Sequence, residues 1–282
     1  MTQLITDKPT LASMLMQWRQ QGESSALVPT MGSIHAGHLA LIQTASSLAD
    51  NVIVTIFVNP KQFAEGEDFD LYPRKLDADM AAIRKAGGAD VVFAPQNMYV
   101  PDHATDIIPG GVAFDLETKH RQHFFTGVAT IVMKLFMQVP TDIAIFGEKD
   151  YQQLAVIRQM VRDLDVPVDI ISHPTVREHD GLALSSRNNY LTPDQRALAP
   201  HLYATLCDVA GDILDGDDPL SLIVTATDRL LDEGFNSVDY FELRDGNSLA
   251  PVRTHDPENR LLIAATIGET RLIDNIAIGS HA

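Results

Sequence analysis

Residues 26–49, ALVPTMGSIHAGHLALIQTASSLA, decide the fold class. A short apolar strand, Ala26–Val28, runs into Pro29-Thr-Met-Gly and two histidines three positions apart. A helix follows from His38 to Ala49, its apolar residues recurring at helical spacing. Strand, turn and helix in that order make one β-α unit, and the pattern repeats downstream. Further strands are expected at Val52–Val58, Asp90–Phe93, Ile143–Phe146 and Val168–Ser172. Helices are expected at Lys75–Ala86, Val128–Val139 and Tyr151–Leu164, the last with Leu154, Ile157, Val161 and Leu164 on one face. Alternating strands and helices predict a doubly wound α/β domain around a parallel sheet.

From about Pro174 the rhythm changes. A polar loop precedes two helices starting near Pro193 and Pro219, then strands near Val238–Leu243, Leu261–Thr266 and Arg271–Asn275. Helices followed by strands predict a smaller α+β domain, so the expected division is 1–174 and 175–282. The chain shows no internal repeat and no low-complexity segment.

Composition narrows the function classes. With 45% hydrophobic and 21% charged residues in 282, a folded, enzyme-sized body is expected. The N-terminal stretch lacks the features of a secretory signal, and the most apolar helix, Val128–Val139, is broken by Lys134 and is too short to span a bilayer. One cysteine, Cys207, excludes an intrachain disulfide and suits a reducing cytosol. It reads as a small core residue on a helix. A net charge of −17 argues against a nucleic-acid surface, which needs clustered Lys and Arg. Residues 201–282 hold 15 acids against five bases, so a polyanion site is expected in the first 200 residues.

Ligands of open α/β sheets bind beyond the carboxyl ends of the strands, which directs attention to the strand-to-helix turns. In Met31-Gly32-Ser33-Ile34-His35-Ala36-Gly37-His38, two imidazoles and the N–H groups of a helix start converge, a natural anion site. Gly37 would let a phosphate oxygen approach the backbone. A lone histidine is ordinarily a satisfied structural residue, whereas two flanking a glycine at such a junction point to function. A zinc pair is a rival, but it lacks a third ligand nearby.

In Gly147-Glu148-Lys149-Asp150-Tyr151-Gln152-Gln153, a lysine at a helix start can meet phosphate while Asp150 and the glutamines offer groups to hydroxyls or a carboxylate. A merely capped helix start is the other reading. The loop 180–189, with Leu184, Ser185, Ser186 and Arg187, has the donors a mobile lid over a triphosphate needs, or is a plain linker. Asn59 and Gln62 follow a strand and could hold a small polar substrate, or simply form a turn.

Taken in order, PTMGSIHAGHLAL, FVNPKQF with LYPR, FGEKDYQQL and DGLALSSRNNYL resemble the pantothenate synthetase family over essentially the whole chain. The resemblance implies a cytoplasmic homodimer with a Rossmann-like nucleotide- and pantoate-binding domain and a smaller C-terminal lid domain. It implies ATP and Mg²⁺ turning pantoate into pantoyl adenylate, which β-alanine attacks to give pantothenate and AMP. Met31 through His38 would hold ATP, with His38 the principal catalytic histidine and His35 beside it. Gly147 through Asp150, Val176 and Leu184 through Arg187 would embrace the nucleotide, Lys149 and Arg187 balancing phosphate charge. Gln62, Gln153, Asn59, Tyr72 and Arg121 would serve the substrate, and Asp79 the metal. No nucleic acid and no membrane is implied as a partner.

One segment departs from the family pattern Arg-Pro-x-His-Phe-x-Gly-Val: Gln122 stands at the Pro position and Phe124 at the His position. Three rivals remain at this point. A nucleotidylyltransferase of the same superfamily would join AMP to a phosphorylated substrate, and a tRNA synthetase would need a basic RNA surface. A nucleotide sensor would bind without turnover.

Overall fold

The computed structural model describes residues 2–64, 66–254 and 256–281. The chain divides into two compact units: 1–148 with 156–174, and 149–155 with 175–282.

The first unit holds six strands: β1 (Gln3–Ile5), β2 (Ser25–Thr30), β3 (Asn51–Ile56), β4 (Val91–Phe93), β5 (Ile143–Gly147) and β6 (Asp169–His173). They form one parallel sheet in the order β1-β4-β3-β2-β5-β6. The expected parallel sheet is therefore present. Its central strands are apolar on both faces because helices cover both, and Ala26, Leu27, Val28, Ile53 and Val54 are fully buried. The helices are α1 (Lys8–Gln21), α2 (Ala36–Leu48), α3 (Leu76–Ala86), the single turn α4 (Glu117–His120), α5 (Phe124–Gln138) and α6 (Tyr151–Asp163).

Two N-terminal elements escaped pattern reading. β1 is three residues long with only Ile5 buried, too short for a period to show. α1 is bounded by local chemistry: Asp7 accepts the Thr10 N–H at its start, and Gly22, at φ 74°, ends it in the left-handed region. Elsewhere the differences are of register. α5 begins at Phe124, four residues before the expected Val128, and α2 at Ala36, two before His38.

Strand order locates the switch point. From β2 the chain winds outward through β3 to β4, then returns to the other side of β2 as β5. β2 pairs with β5 at Leu27–Ala144, and three residues on the two strands end at Thr30 and Gly147. An α/β sheet opens its crevice at such a place.

The second unit has α7 (Pro193–Leu198), α8 (His201–Leu214), α9 (Pro219–Glu233) and the antiparallel sheet β7 (Ser237–Arg244), β8 (Arg260–Ile267), β9 (Thr270–Ala277), in that order. Leu202, Leu206, Val209 and Ile213 of α8 pack with Leu230, Leu261 and Ile263. Two helices were expected here and three are found. Pro200 has no N–H to continue a ladder, so the chain starts again as α8. Cys207 lies on α8, half-buried, and burial pushes its thiol up, as suits an inert packing residue.

Lys149–Ala155 belong with the second unit, although the sequence places them before the expected boundary at 174. The reason is a set of ties. Asn275 Nδ2 donates to the Lys149 carbonyl at 2.9 Å, and Tyr151 Oη donates to the Gly246 carbonyl at 2.7 Å. The Arg260 guanidinium lies 3.7 Å from the centre of the Tyr151 ring and also donates to Asn275 Oδ1.

In the first unit, α5 lies against the 3-10 turn Pro60–Gln62 through Gly127. A Cβ there would stand 2.1 Å from the Lys61 carbonyl oxygen and 2.7 Å from the Gln62 nitrogen, both backbone atoms. Gly127→Ala is therefore expected to destabilise the protein by about 1–3 kcal/mol or more, measured by urea unfolding. An unchanged midpoint would show that α5 can withdraw at no cost.

Candidate functional site

The loop after β2 is shaped by backbone strain and one carboxylate. Gly32 and Ser33 take left-handed φ values of 85° and 53°. A Cβ on Gly32 would stand 2.9 Å from Asp79 Oδ2, so glycine is required by space as well as by φ. Asp79, only 5% exposed in the first turn of α3, accepts the Ser33 N–H at 3.1 Å and the Ile34 N–H at 2.8 Å, one on each oxygen. Thr30 Oγ1 accepts the Gly32 N–H at 3.1 Å while donating to the Thr55 carbonyl at 2.7 Å.

That loop delivers the two histidines as caps of α2. His35 Nδ1 accepts the Gly37 N–H at 3.1 Å, and His38 Nδ1 accepts the His35 N–H at 3.4 Å. The rings lie 4.1 Å apart, tilted by 32°. An Nδ1 facing a backbone N–H must offer a lone pair, so each neutral ring carries its proton on Nε2. The site thus differs from the expectation of open helix amides. The Gly37 N–H is taken by His35, and the imidazole Nε2–H groups become the donors in its place.

The turn after β3 is built around Asn59, 1% exposed. Its Nδ2 donates to Gln62 Oε1 at 3.0 Å and to the Gly127 carbonyl at 3.1 Å. Its Oδ1 accepts the Lys61 N–H at 3.3 Å and the Tyr99 hydroxyl at 2.7 Å. Two donors and two lone pairs are all used in these contacts, so Asn59, expected at the substrate, also holds Gln62 in place. Gln62, half-buried, sends Nε2 to Met31 Sδ at 3.0 Å, which joins this turn to the histidine loop.

Two more residues expected at the substrate stand in structural contacts. Arg121 grips Glu67 with Nε and Nη2, each at 2.7 Å, gives Nη2 to the Gln62 carbonyl at 3.1 Å, and lies 3.7 Å from Glu117. Through Nε and Nη2, Arg121 braces the Gln62 turn. Phe124, at the family's His position, forms the face on which that guanidinium lies, 3.8 Å from the ring centre, while Gln122 is exposed. Tyr72 is 7% exposed with its ring edge-on to Phe63, a packing position beneath the turn.

In the second unit, Leu184 donates its N–H to the Val176 carbonyl at 3.0 Å, bringing together two residues expected at the nucleotide. Ser185 Oγ accepts the Arg187 N–H at 3.3 Å and starts the 3-10 turn Ser186–Tyr190. Arg177, absent from the sequence reading, anchors the loop by donating to both oxygens of buried Asp274 at 2.6 and 2.9 Å. Lys149 and Gln153 stand at the start of α6, with the Lys149 carbonyl held by Asn275. Asp274 and Asn275 carried one usable signal: two adjacent polar residues in a strand with a buried side on each face.

Fold and loops together define a Rossmann-like α/β protein with polar turns at the carboxyl ends of a parallel sheet. The sequence model of the family described as pantoate-beta-alanine ligase matches residues 3–277, and the chain belongs to that family. It is 48% identical over 277 residues to the pantothenate synthetase of Paramagnetospirillum magneticum, covering 98% of this chain and 97% of that one. It resembles the crystal structure of the Thermus thermophilus enzyme with a TM-score of 0.91, at 40% identity and 99% coverage of both chains. The pantoate-beta-alanine ligase of Francisella tularensis, complexed with beta-gamma ATP and beta-alanine, matches with a TM-score of 0.82 at 33% identity, covering 99% and 98%.

Two measurements test this geometry. Asp79→Asn sets an amide NH₂ against one of two buried N–H groups, with an expected loss of about 1–3 kcal/mol. The loss should be the same with Mg²⁺ or with EDTA in a urea titration; a loss seen only with Mg²⁺ would make Asp79 a metal ligand. In the second unit, Arg196 donates to Asp180 at 2.7 Å and holds that carboxyl below its ordinary value of 3.8. Such a group stabilises above its unfolded pKa and ceases to do so as pH falls through the lower folded value. Asp180→Asn is expected to lower the melting temperature at pH 7, and the gap to wild type to close as pH falls below about 4.

Proposed function

We propose that the protein condenses pantoate with β-alanine at the expense of ATP, giving pantothenate, AMP and pyrophosphate. The observation that carries this reading is the pair of adjacent imidazoles capping α2 at the switch point of the sheet, in a chain matched by its family along nearly its full length. A pantoate carboxylate oxygen attacks the α-phosphorus of ATP, forming the acyl-phosphate bond as pyrophosphate leaves. The β-alanine amine then attacks the acyl carbon, and AMP departs as the amide forms. Holding the reactants in position makes each step effectively unimolecular, a gain of up to about 7–11 kcal/mol in well-oriented cases.

Roles follow from the chemistry of each group. His38 and His35 offer Nε2–H donors to phosphate oxygens, and no imidazolium is needed for that task. Met31 to His38 serve ATP in the first unit, together with Gly147 and Glu148. Lys149, Asp150, Val176 and Leu184 to Arg187 serve it from the second, Lys149 and Arg187 meeting phosphate charge. Gln62 is assigned to pantoate through its Nε2 edge, and Gln153 to the same substrate. The first unit is read as the nucleotide- and pantoate-binding domain and the second as the lid.

Among the described residues no three His, Cys, Asp or Glu side chains form a metal cage, and the Asp79 oxygens are given to amides. Each Asp79 oxygen keeps a second lone pair, and Mg²⁺ is assigned as the counter-cation that enters with ATP. No described helix is long and apolar enough to cross a membrane. A cytoplasmic location is proposed on family membership, and the acidic charge supports a protein without a nucleic-acid partner. A homodimer is proposed on family membership.

The deciding experiment measures pyrophosphate release with ATP and a panel of hydroxy acids, with and without β-alanine, and identifies the nucleotide product. Pantoate alone should support turnover that yields free AMP once amine is supplied; a dinucleotide product would favour the nucleotidylyltransferase reading. His38→Ala and Lys149→Ala are each expected to lower turnover by about 10²-fold or more. Near-normal rates in both would leave a nucleotide-binding protein without these catalytic groups.

A further inference from the structure

Tyr99 lies in the coil after β4, outside every motif that pointed to function. Its backbone is fixed where Asn97 Oδ1 accepts its N–H at 2.9 Å. Its ring meets His103 edge-on at 4.8 Å, and the ammonium groups of Lys61 and Lys134 stand 5.5 and 5.4 Å from its centre. Its hydroxyl donates to Asn59 Oδ1 at 2.7 Å.

Polarity passes along this chain of bonds. A protonated phenol presents a hydrogen, so the atom facing it must be the Asn59 oxygen, and Nδ2 then points the other way. The Gly127 carbonyl, 3.1 Å from Nδ2, demands the same orientation. With an NH₂ facing it at 3.0 Å, Gln62 must turn Oε1 toward Asn59. Nε2 is thereby aimed at Met31 Sδ, 3.0 Å away, with a second hydrogen for a ligand oxygen. Reversing either amide would set donor against donor or acceptor against acceptor, at the full cost of buried unsatisfied groups. Burial, and behind it the nearby Asp106 carboxylate, holds the Tyr99 phenol well above its ordinary value, so it remains a donor across the neutral range.

We infer that Tyr99 is a positioning residue for substrate recognition: acting through Asn59, it holds the Gln62 amide with its N–H edge toward the ligand, selecting a carboxylate or hydroxyl oxygen at that place. The inference rests on the assignment of Gln62 to pantoate.

The test uses the full-length protein with Tyr99→Phe, Gln62→Ala and the double variant, measuring pyrophosphate release at varied pantoate and varied ATP, and pantoate binding by calorimetry. Removing one neutral hydrogen bond corresponds to a change of about 3- to 10-fold. Tyr99→Phe should raise the pantoate KM by that factor and weaken pantoate binding equally, with the ATP KM within about twofold of wild type. In the Gln62→Ala background it should add nothing, since the amide it orients is gone. An unchanged pantoate KM, an equal rise in the ATP KM, or the same loss with and without Gln62 would each overturn the inference. Gln62→Glu supplies an arm that leaves Tyr99 intact: it keeps an acceptor for Asn59 but loses the donor edge, so pantoate binding should fall at least as far as in Tyr99→Phe. Undiminished binding there overturns the polarity argument. Wild-type protein that releases no pyrophosphate with pantoate sinks the ligase reading itself, and this inference with it; normal wild-type turnover with an inert Tyr99→Phe sinks the inference alone.

Discussion

The first unit's site depends on a buried carboxylate and the two amide protons it accepts. Asp79 sits at the start of α3, where the helix dipole favours negative charge, and reaches across to the loop that leaves β2. Without those bonds, Ser33 and Ile34 would bury unpaired N–H groups, and the left-handed Gly32–Ser33 pair would have nothing to hold it. With them, the chain enters α2 at one angle and both imidazoles become caps. Their Nδ1 atoms are then committed to backbone, and the reactive edge is Nε2. A packing constraint between two helices is thus converted into a choice of tautomer.

A similar logic governs the turn after β3. Asn59 commits its hydrogen bonds to Lys61, Tyr99, Gln62 and Gly127, and so makes the turn rigid. Arg121 does the same with charge, bridging Glu67 and the Gln62 carbonyl while lying on Phe124. Gly127 is the clearance that lets α5 approach, since any side chain there would meet backbone atoms that cannot step aside. In both turns the polar side chains are held by neighbours packed behind them, which keeps the loops in one geometry.

In the second unit the Lys149 turn is secured by residues more than a hundred positions later. Asn275 takes the Lys149 carbonyl, Arg260 covers Tyr151, and the Arg177–Asp274 pair fixes the loop ahead of Leu184. Pattern reading divides a chain at changes of rhythm, and there is none at Ala155, because α6 carries its helical period straight through. The grouping of Lys149–Ala155 with the C-terminal half follows from side-chain ties that leave no periodic trace.

Fold class and family were legible in the residues alone. Burial on one stripe of a helix or both faces of a strand leaves a regular apolar period, and four polar motifs in a set order mark a chemistry. The sequence also pointed to the histidine loop, since two imidazoles at a strand-to-helix junction are rare without cause. How each polar side chain divides its hydrogen bonds became visible in the folded chain. Asp79, Asn59 and Arg121 stand in the motifs, yet each also spends oxygens or N–H groups on partners elsewhere in the fold, which no spacing in the sequence announces. Residue type and spacing specify what a group can offer; its three-dimensional neighbours specify what remains to be offered.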